Sequence, residues 1–397
     1  MDYLLSKFSP LKKVYLIAGE PSGDLHGAHL VEAMKRLDPD LRFRGFGGPK
    51  MESAGVELDQ TIDQLSFMGF GEIVQHLPTI LSNFRLAKKA IRRWHPDAIV
   101  YIDFPGFNMR MAKWARKRGY TNFYYIAPQA WAWKEKRALK LRRDIDELFS
   151  ILPFEQPFFA RFGYEVNYVG HPLVDIIRQY KTDHGVKSGS SFQTRHLANV
   201  EIPTEGVPDR VLALLPGSRQ QEVQKILPVL LDAVEGLDNY QIVIGKSPHI
   251  PLDLYHKIVE GRGAFSGRVA YEESAYRLLS KAYMACVASG TATLETALFK
   301  VPQMVCFKGS NLSYRIARRL IKVPYISLVN LVMNEEVVKE LIQDELNPEN
   351  IQNEIARLED ENYRDRIRHQ YNLLEQKLGV GGAAEKTAKI ILRNFDS

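Results

Sequence analysis

Short apolar runs, each closed by a loop of small and turn-forming residues and followed by an amphipathic stretch, constrain this chain more than any other feature. Residues 14–18 end in Gly19-Glu20-Pro21-Ser22-Gly23-Asp24 and lead into a helical stretch through about Arg36. Ala98–Ile102 ends at Asp103, and further runs follow at 122–126, 148–152 and 166–169. An apolar run of this length without polar alternation reads as a strand buried on both faces. Strands alternating with helices then give a parallel sheet. The rhythm stops around 182–208, where Lys187-Ser188-Gly189-Ser190-Ser191 reads as a linker or insertion. It restarts at Val211–Leu215 and continues at 240–244, 283–288 and Gln303–Phe307. A helix over about 362–378 ends at Gly379, and Gly381-Gly382 opens another. Two α/β units with a cleft between them are the simplest architecture, over 1–175 and 209–361, joined by 176–208.

With 397 residues, 45% hydrophobic and 25% charged, the chain has enough apolar material for two full cores. Its only cysteines, Cys286 and Cys306, lie inside apolar runs and read as small core residues of a protein made in a reducing compartment. Residues 1–10 lack the apolar centre of a signal peptide, and no stretch approaches the ~18–20 apolar residues of a membrane span. Any membrane contact is therefore expected to be peripheral. The formal charge of +6 sits wholly in residues 1–172, where 25 Lys and Arg face 19 Asp and Glu; the remainder holds 28 of each. A basic first half suits anionic lipid, nucleic acid or phosphorylated substrates, and charge alone does not choose among them.

Several loops carry chemistry. Ser289-Gly290-Thr291-Ala292-Thr293-Leu294-Glu295 follows an apolar run. The helix it opens presents free N–H groups and the positive end of its dipole, which suits a phosphate. Glu295, one turn further in, suits sugar hydroxyls. Pro216-Gly217-Ser218-Arg219, with Glu222 close behind, is a tight turn that offers backbone and a guanidinium to a diphosphate. Both loops stand where open α/β sheets bind ligands, beyond the carboxyl ends of strands. The loop Gly19–Asp24 is neither a dinucleotide fingerprint nor a Walker loop, and Glu20 there fits a hydroxyl better than a pyrophosphate. Asp103, at a strand end before Phe104-Pro105-Gly106-Phe107-Asn108, is placed to take a proton from an attacking hydroxyl, or else to cap the next helix.

Gln129-Ala130-Trp131-Ala132-Trp133 precedes Lys134, Lys136, Arg137, Lys140, Arg142 and Arg143, which read as a solvated helix face or as a surface for lipid, nucleic acid or phosphate. Phe67, Met68, Phe70, Ile73 and Leu77 begin an amphipathic stretch with cations at its end, which reads as core or as a lipid-contacting stripe. The histidines show no metal-ligand spacing. Asp144-Ile145-Asp146 precedes a strand and so sits at the wrong end for a site; it reads as structural.

Taken together, these loops resemble the lipid-A-disaccharide synthases. The residues that carry the resemblance are Ala18 to Asp24, Met68 to Glu72, Ile102 to Asn108, Tyr125 to Trp133, Val169-Gly170-His171-Pro172-Leu173, Leu214 to Arg219 and Ser289 to Glu295, and it spans about 13–392. It implies a GT-B fold with the active site between two Rossmann-like domains and a C-terminal segment, about 362–397, crossing back to the first. It implies transfer of 2,3-diacylglucosamine from its UDP derivative to 2,3-diacylglucosamine 1-phosphate, with inversion, by an enzyme lying on the cytoplasmic face of a Gram-negative inner membrane. On this resemblance Asp103 is the base, with Glu20 as alternative or positioning group. Gly217, Ser218, Arg219, Ser289, Gly290, Thr291, Glu295 and Asn330 hold the UDP donor. Ser22, Gly23, Asp24, Asn108 and Gln129 belong to the acceptor loops. Phe67, Met68, Phe70, Ile73 and Leu77 meet acyl chains or lipid. No metal or other cofactor and no nucleic acid is expected, and a second copy of the chain as partner is left open. The sequence departs from the family pattern at Pro21, commonly Thr, and at Val329, usually Pro. The alternative reading is another UDP-sugar enzyme of this fold, a 2-epimerase or a polyprenyl-linked transferase. A basic, non-catalytic nucleic-acid binder is a third.

Overall fold

The computed structural model describes residues 12–62, 77–186, 210–262, 269–310 and 323–395. It divides into two compact units: Met1–Pro172 with Gly379–Ser397, and Leu173–Leu378.

Unit 1 holds a seven-stranded sheet in the order β3-β2-β1-β4-β5-β6-β7, with neighbouring strands parallel. Its strands are β1 (Lys13–Ala18), β2 (Arg42–Gly47), β3 (Glu57–Thr61), β4 (Ala98–Ile102), β5 (Thr121–Tyr125), β6 (Glu147–Ser150) and β7 (Asn167–Tyr168). The central strands are buried along nearly their whole length, which is why β1 and β4 read as unbroken apolar runs. The helices are α1 (Pro21–Leu37), α2 (Pro49–Ser53), α3 (Leu77–Trp94), α4 (Pro105–Arg116), α5 (Ala130–Trp133), α6 (Arg137–Asp144) and α7 (Glu155–Ala160). β2 and β3 escaped the sequence reading because they lie toward the sheet edge. β3 is polar apart from Leu58, and β2 interrupts its apolar residues with Arg44 and glycines.

Unit 2 holds a six-stranded sheet in the order β10-β9-β8-β11-β12-β13. Its strands are β8 (Val211–Leu215), β9 (Gln241–Gly245), β10 (Val269–Glu272), β11 (Ala282–Ala288), β12 (Gln303–Phe307) and β13 (Glu340–Ile342). The two edge strands, β10 and β13, are again the ones the apolar pattern misses. The helices are α8 (Pro172–Asp183), α9 (Gln220–Val234), α10 (Leu252–Glu260), α11 (Ala275–Leu279), α12 (Thr291–Leu298), α13 (Leu328–Met333), α14 (Pro348–Glu359) and α15 (Glu361–Leu378). Cys286 and Cys306 are free and buried on β11 and β12.

Two boundaries differ from the sequence reading. The residues after 175 are not linker: α8 continues to Asp183 and belongs to unit 2. The return to unit 1 begins at Gly379, not near 362. The helix α15 buries Ile367, Tyr371, Leu374 and Leu378 and packs on α12, α13 and α14 of unit 2. The last helix, α16 (Ala383–Arg393), alone packs on α1 in unit 1. The turn between α15 and α16 needs left-handed backbone, and glycine supplies it at Gly379, Gly381 and Gly382.

Candidate active site

In unit 1 the strand order reverses beside β1, which is flanked by β2 and β4. Such a switch point opens a crevice at the carboxyl ends of the two strands. Ala18 pairs with Ile102 across them, so Glu20 and Asp103 leave neighbouring strand ends almost level. Glu20 is the exposed N-cap of α1. Asp103 and Phe104 both adopt left-handed backbone, with φ of 46° and 51°. Two consecutive non-glycine residues in that region carry strain that the surroundings must hold. They do so from three sides. The Asn108 amide donates to the carbonyls of Ile17, Ile102 and Asp103 at 3.2, 3.3 and 2.8 Å. The Tyr124 hydroxyl donates to the Asp103 carbonyl at 2.6 Å. The Phe104 ring lies on Gly19, where an added Cβ would sit 2.4 Å from a ring carbon. Burial, reinforced by the charge of Glu20, pushes the Asp103 carboxyl up to about 6.

The next strand ends complete the surroundings. Ile126, just past β5, is also left-handed (φ 67°), and the loop after it presents Gln129 to solvent and buries Trp131. The Trp131 indole donates to Glu155 at 3.1 Å. The other Glu155 oxygen accepts the backbone N–H groups of Ile151 and Leu152, both at 3.0 Å. Burial outweighs these bonds and raises the Glu155 carboxyl to about 7. His171 and His26 are held neutral, pushed by burial to about 3 and about 4. Nothing in the sequence pattern marked Glu155 or Tyr124, because each acts through a partner distant in the chain.

Unit 2 repeats the arrangement. Its order reverses beside β8, flanked by β9 and β11, and Leu215 pairs with Val287. The loops that leave this switch point are Gly217-Ser218-Arg219 and Ser289-Gly290-Thr291. Gly217 has φ of 120°, which only glycine adopts at low cost. The Glu222 carboxylate folds over the turn and accepts the Ser218 and Arg219 N–H groups at 3.1 and 3.3 Å. The turn therefore already displays its preference for an anion, with a carboxylate of the chain in that position. The Arg219 side chain is 81% exposed and lies 3.7 Å from Glu222. An added Cβ on Gly290 would meet nothing within 4 Å, so space is open at the start of α12. Ser289 Oγ donates to the Ile326 carbonyl at 3.1 Å. Burial raises the Glu295 carboxyl to about 7, partly offset by its hydrogen bond with Tyr276.

Three expected ligand contacts are spent inside the fold. Asp24 is 3% exposed, and its carboxylate accepts the N–H groups of Gly48, Met51 and Lys50 at 2.8, 2.9 and 3.1 Å. It ties α1 to the start of α2. Asn108 holds strand-end carbonyls through its amide nitrogen. Asn330 is fully buried; its nitrogen donates to the Val338 carbonyl and Glu340, and its oxygen accepts Val337 and Val338 N–H, all within 2.9 to 3.0 Å. With two donors and two acceptances used, this amide has no capacity left for a nucleotide. It supports the segment whose Ile326 carbonyl meets Ser289. Ser22 is exposed and Gly23 buried in the first turn of α1. Phe67, Met68, Phe70 and Ile73 lie outside the described residues, as does the side chain of Leu77. In Asp144-Ile145-Asp146, Asp146 accepts the Asn122 N–H at 2.8 Å and pairs with Arg116, while Asp144 pairs with Arg143.

Two parallel α/β units, each with its loops gathered at a switch point, give a protein of the GT-B fold class. The Staphylococcus aureus MnaA–UDP co-structure matches 97% of each chain with a TM-score of 0.68 at 14% identity. The UDP-GlcNAc 2-epimerase of Neisseria meningitidis bound to UDP-GlcNAc matches 96% of this chain and all of its own with a TM-score of 0.61 at 12% identity. These are likenesses of fold alone. Within that class the chain belongs to the lipid-A-disaccharide synthetase family, whose model matches residues 14–391. The lipid-A-disaccharide synthases of Geobacter metallireducens and Syntrophus aciditrophicus are 37% and 38% identical, over 97% and 96% of this chain and 97% of each relative. That of Coxiella burnetii is 34% identical over 96% of this chain and 98% of its own. The chain is thus a glycosyltransferase of lipid A biosynthesis.

Proposed function

We propose that this enzyme moves 2,3-diacylglucosamine from its UDP derivative to the 6-hydroxyl of 2,3-diacylglucosamine 1-phosphate in one inverting displacement, with Asp103 as the base. The observation that carries this is the pair of carboxylates, Glu20 and Asp103, presented level at one switch point by a strained turn. A base works best with a pKa near the operating pH, and burial brings Asp103 to about 6. Glu20 raises that value by its charge and is suited to holding a sugar hydroxyl. In unit 2 the start of α12 and Arg219 supply fixed dipoles and a cation for the departing UDP. Glu295, kept in place by Tyr276, suits the ribose.

Attack by the acceptor oxygen breaks the anomeric carbon–phosphate oxygen bond. The bonding pair leaves on UDP, and the acceptor proton passes to Asp103. We expect turnover without a divalent ion. The test is UDP release from the two acylated substrates with and without chelator, for the natural enzyme and for Asp103→Asn. The expected result is chelator-insensitive release that falls by about 10²–10⁴-fold in the variant while UDP affinity is unchanged. Full turnover in Asp103→Asn would remove it from the base role.

Peripheral association with the membrane that carries both substrates is part of the same reading. No helix among the described residues is long and apolar enough to cross a membrane. The exposed face of α6 supports association at the surface. Leu139, 50% exposed, is flanked by exposed Lys136, Lys140, Arg142 and Arg143, while Ala138 and Leu141 face inward. An apolar residue among cations suits an anionic bilayer.

A further inference from the structure

Arg137 opens α6, the helix that follows the β5 loop in unit 1. Its guanidinium makes no hydrogen bond and no ion pair among the described residues, although it is half-buried. Burial, the helix start and the neighbouring Lys134 disfavour this cation, while Tyr124 and the Trp133 ring favour it. It occupies the first turn of a helix, where the dipole repels positive charge. Burial strips water from it and lowers its proton affinity. Lys134 lies beside it and is itself made less basic, chiefly by burial and then by Arg137 and Lys140. Both Lys134 and Arg137 lean on the exposed Trp133 ring, at 3.9 and 5.0 Å from its centre. The other arginines of α6 are engaged: Arg143 pairs with Asp144 and Arg142 donates to the Phe162 carbonyl. A cluster this costly is relieved by an anion.

The position identifies which anion. Tyr125, the last residue of β5, pairs with Ile102, so the loop that leads to Arg137 leaves the sheet beside Asp103, and the Tyr124 hydroxyl holds the Asp103 carbonyl at 2.6 Å. Arg137 thus belongs to the neighbourhood of the proposed base. The donor diphosphate is assigned to the loops of unit 2, so the remaining phosphate is the one on the acceptor. We infer that Arg137, with Lys134 beside it, receives the anomeric phosphate monoester of the acceptor and so restricts the enzyme to phosphorylated acceptors. The planar fork of the guanidinium matches two phosphate oxygens, which lysine cannot do. This inference rests on the function proposed above.

The test uses the full chain in neutral detergent micelles, with diacylglucosamine 1-phosphate and its dephosphorylated counterpart as acceptors. In Arg137→Ala the KM for the phosphorylated acceptor should rise about 10- to 100-fold. The KM for donor and the kcat/KM for the dephosphorylated acceptor should stay unchanged. Arg137→Lys should recover part of the loss. An equal effect on both acceptors, or none, overturns the inference. A second measurement, calorimetric binding of the phosphorylated acceptor to chains carrying Asp103→Asn with and without Arg137→Ala, needs no turnover. Weaker binding on loss of Arg137 supports the site, and equal binding refutes it. Turnover absent from the natural enzyme while this binding difference persists would strike the proposed reaction and leave the phosphate site standing. A third arm adds phosphatidylglycerol to the micelles. Retention of the protein by that lipid that depends on Arg137, with acceptor binding indifferent to it, would assign the cation to a bilayer phosphate and overturn the claim.

Discussion

At the scale of single residues, the site is a contest between strain and support. Asp103 and Phe104 hold left-handed backbone only because Asn108, Tyr124 and the Gly19–Phe104 contact hold them there. Gly19→Ala therefore acts at a distance. Its Cβ would overlap the Phe104 ring, so the ring moves, at a cost of about 1–3 kcal/mol, and the turn carrying Asp103 moves with it. The expected outcome is a drop in kcat that exceeds anything the loss of stability explains, with UDP binding unchanged. A Gly19→Ala enzyme of normal kcat would show that the turn keeps its shape without that contact. The raised carboxyl of Asp103 has an opposite signature in stability. Its folded value of about 6 lies above the ordinary carboxylate value of 3.8, so the folded state binds the proton more tightly than the unfolded one. The stabilisation this gives is complete below about pH 4 and lost as the pH rises through about 6. Asp103→Asn should therefore be more stable than the natural enzyme at pH 7.5, by about 3 kcal/mol, with the gap closing toward pH 4. A variant that melts lower at both pH values would contradict this. The same contest explains what the sequence hid. A polar residue just past a strand serves a ligand or holds the backbone, and the sequence does not say which. Asp24, Asn108 and Asn330 do the second, through bonds to main-chain groups up to 91 positions away, although the Asn108 side-chain oxygen has no partner among the described residues.

At the scale of elements, legibility followed burial. β1, β4, β8 and β12 announced themselves as apolar runs because both faces are covered. β3, β10 and β13 did not, because edge positions admit polar side chains, and β2 did not, because Arg44 and glycines break its apolar run. Helix ends were legible where glycine forces a turn, as at Gly379, but ownership was not. The helix α15 looks like part of the returning segment until Tyr371, fully buried, is seen hydrogen-bonded to Gln303 of β12 at 3.2 Å. The helix α6 shows how an element carries function on its two sides. Arg137 is half-buried against the Trp133 ring, and the outward side carries Lys136, Leu139, Lys140 and Arg143. Replacing Lys136, Lys140 and Arg143 by Glu should abolish sedimentation with vesicles containing phosphatidylglycerol at low salt, since each cation contributes about 1 kcal/mol at an anionic surface. Turnover in detergent micelles should persist. Vesicle binding unchanged by the triple replacement would remove α6 from the membrane contact.

At the scale of the whole molecule, one topological fact organises the rest: each sheet reverses its order at the strand whose following loop the sequence singled out. β1 and β4 deliver Glu20 and Asp103; β8 and β11 deliver Gly217–Arg219 and Ser289–Thr291. The loops were readable because small residues and a lone acid after an apolar run are local signals. That they converge in pairs is a property of strand order, which no local pattern contains. The chain passes between the units at Pro172–Leu173 and again at Leu378–Gly379, so each unit has its own core and its own ligand loops. Ligand binding should then stabilise the units separately. UDP at a hundred times its Kd contributes about 2.7 kcal/mol to whatever binds it, which for a unit of this size is a rise of about 5–10 °C. In calorimetry we expect two transitions, with UDP raising one and leaving the other in place. Arg219→Ala should remove most of that rise, because the cation facing the diphosphate is gone. Asp103→Asn should leave the rise intact and move only the second transition. A rise that vanished in Asp103→Asn and survived in Arg219→Ala would exchange the two assignments and place the nucleotide at the switch point of unit 1.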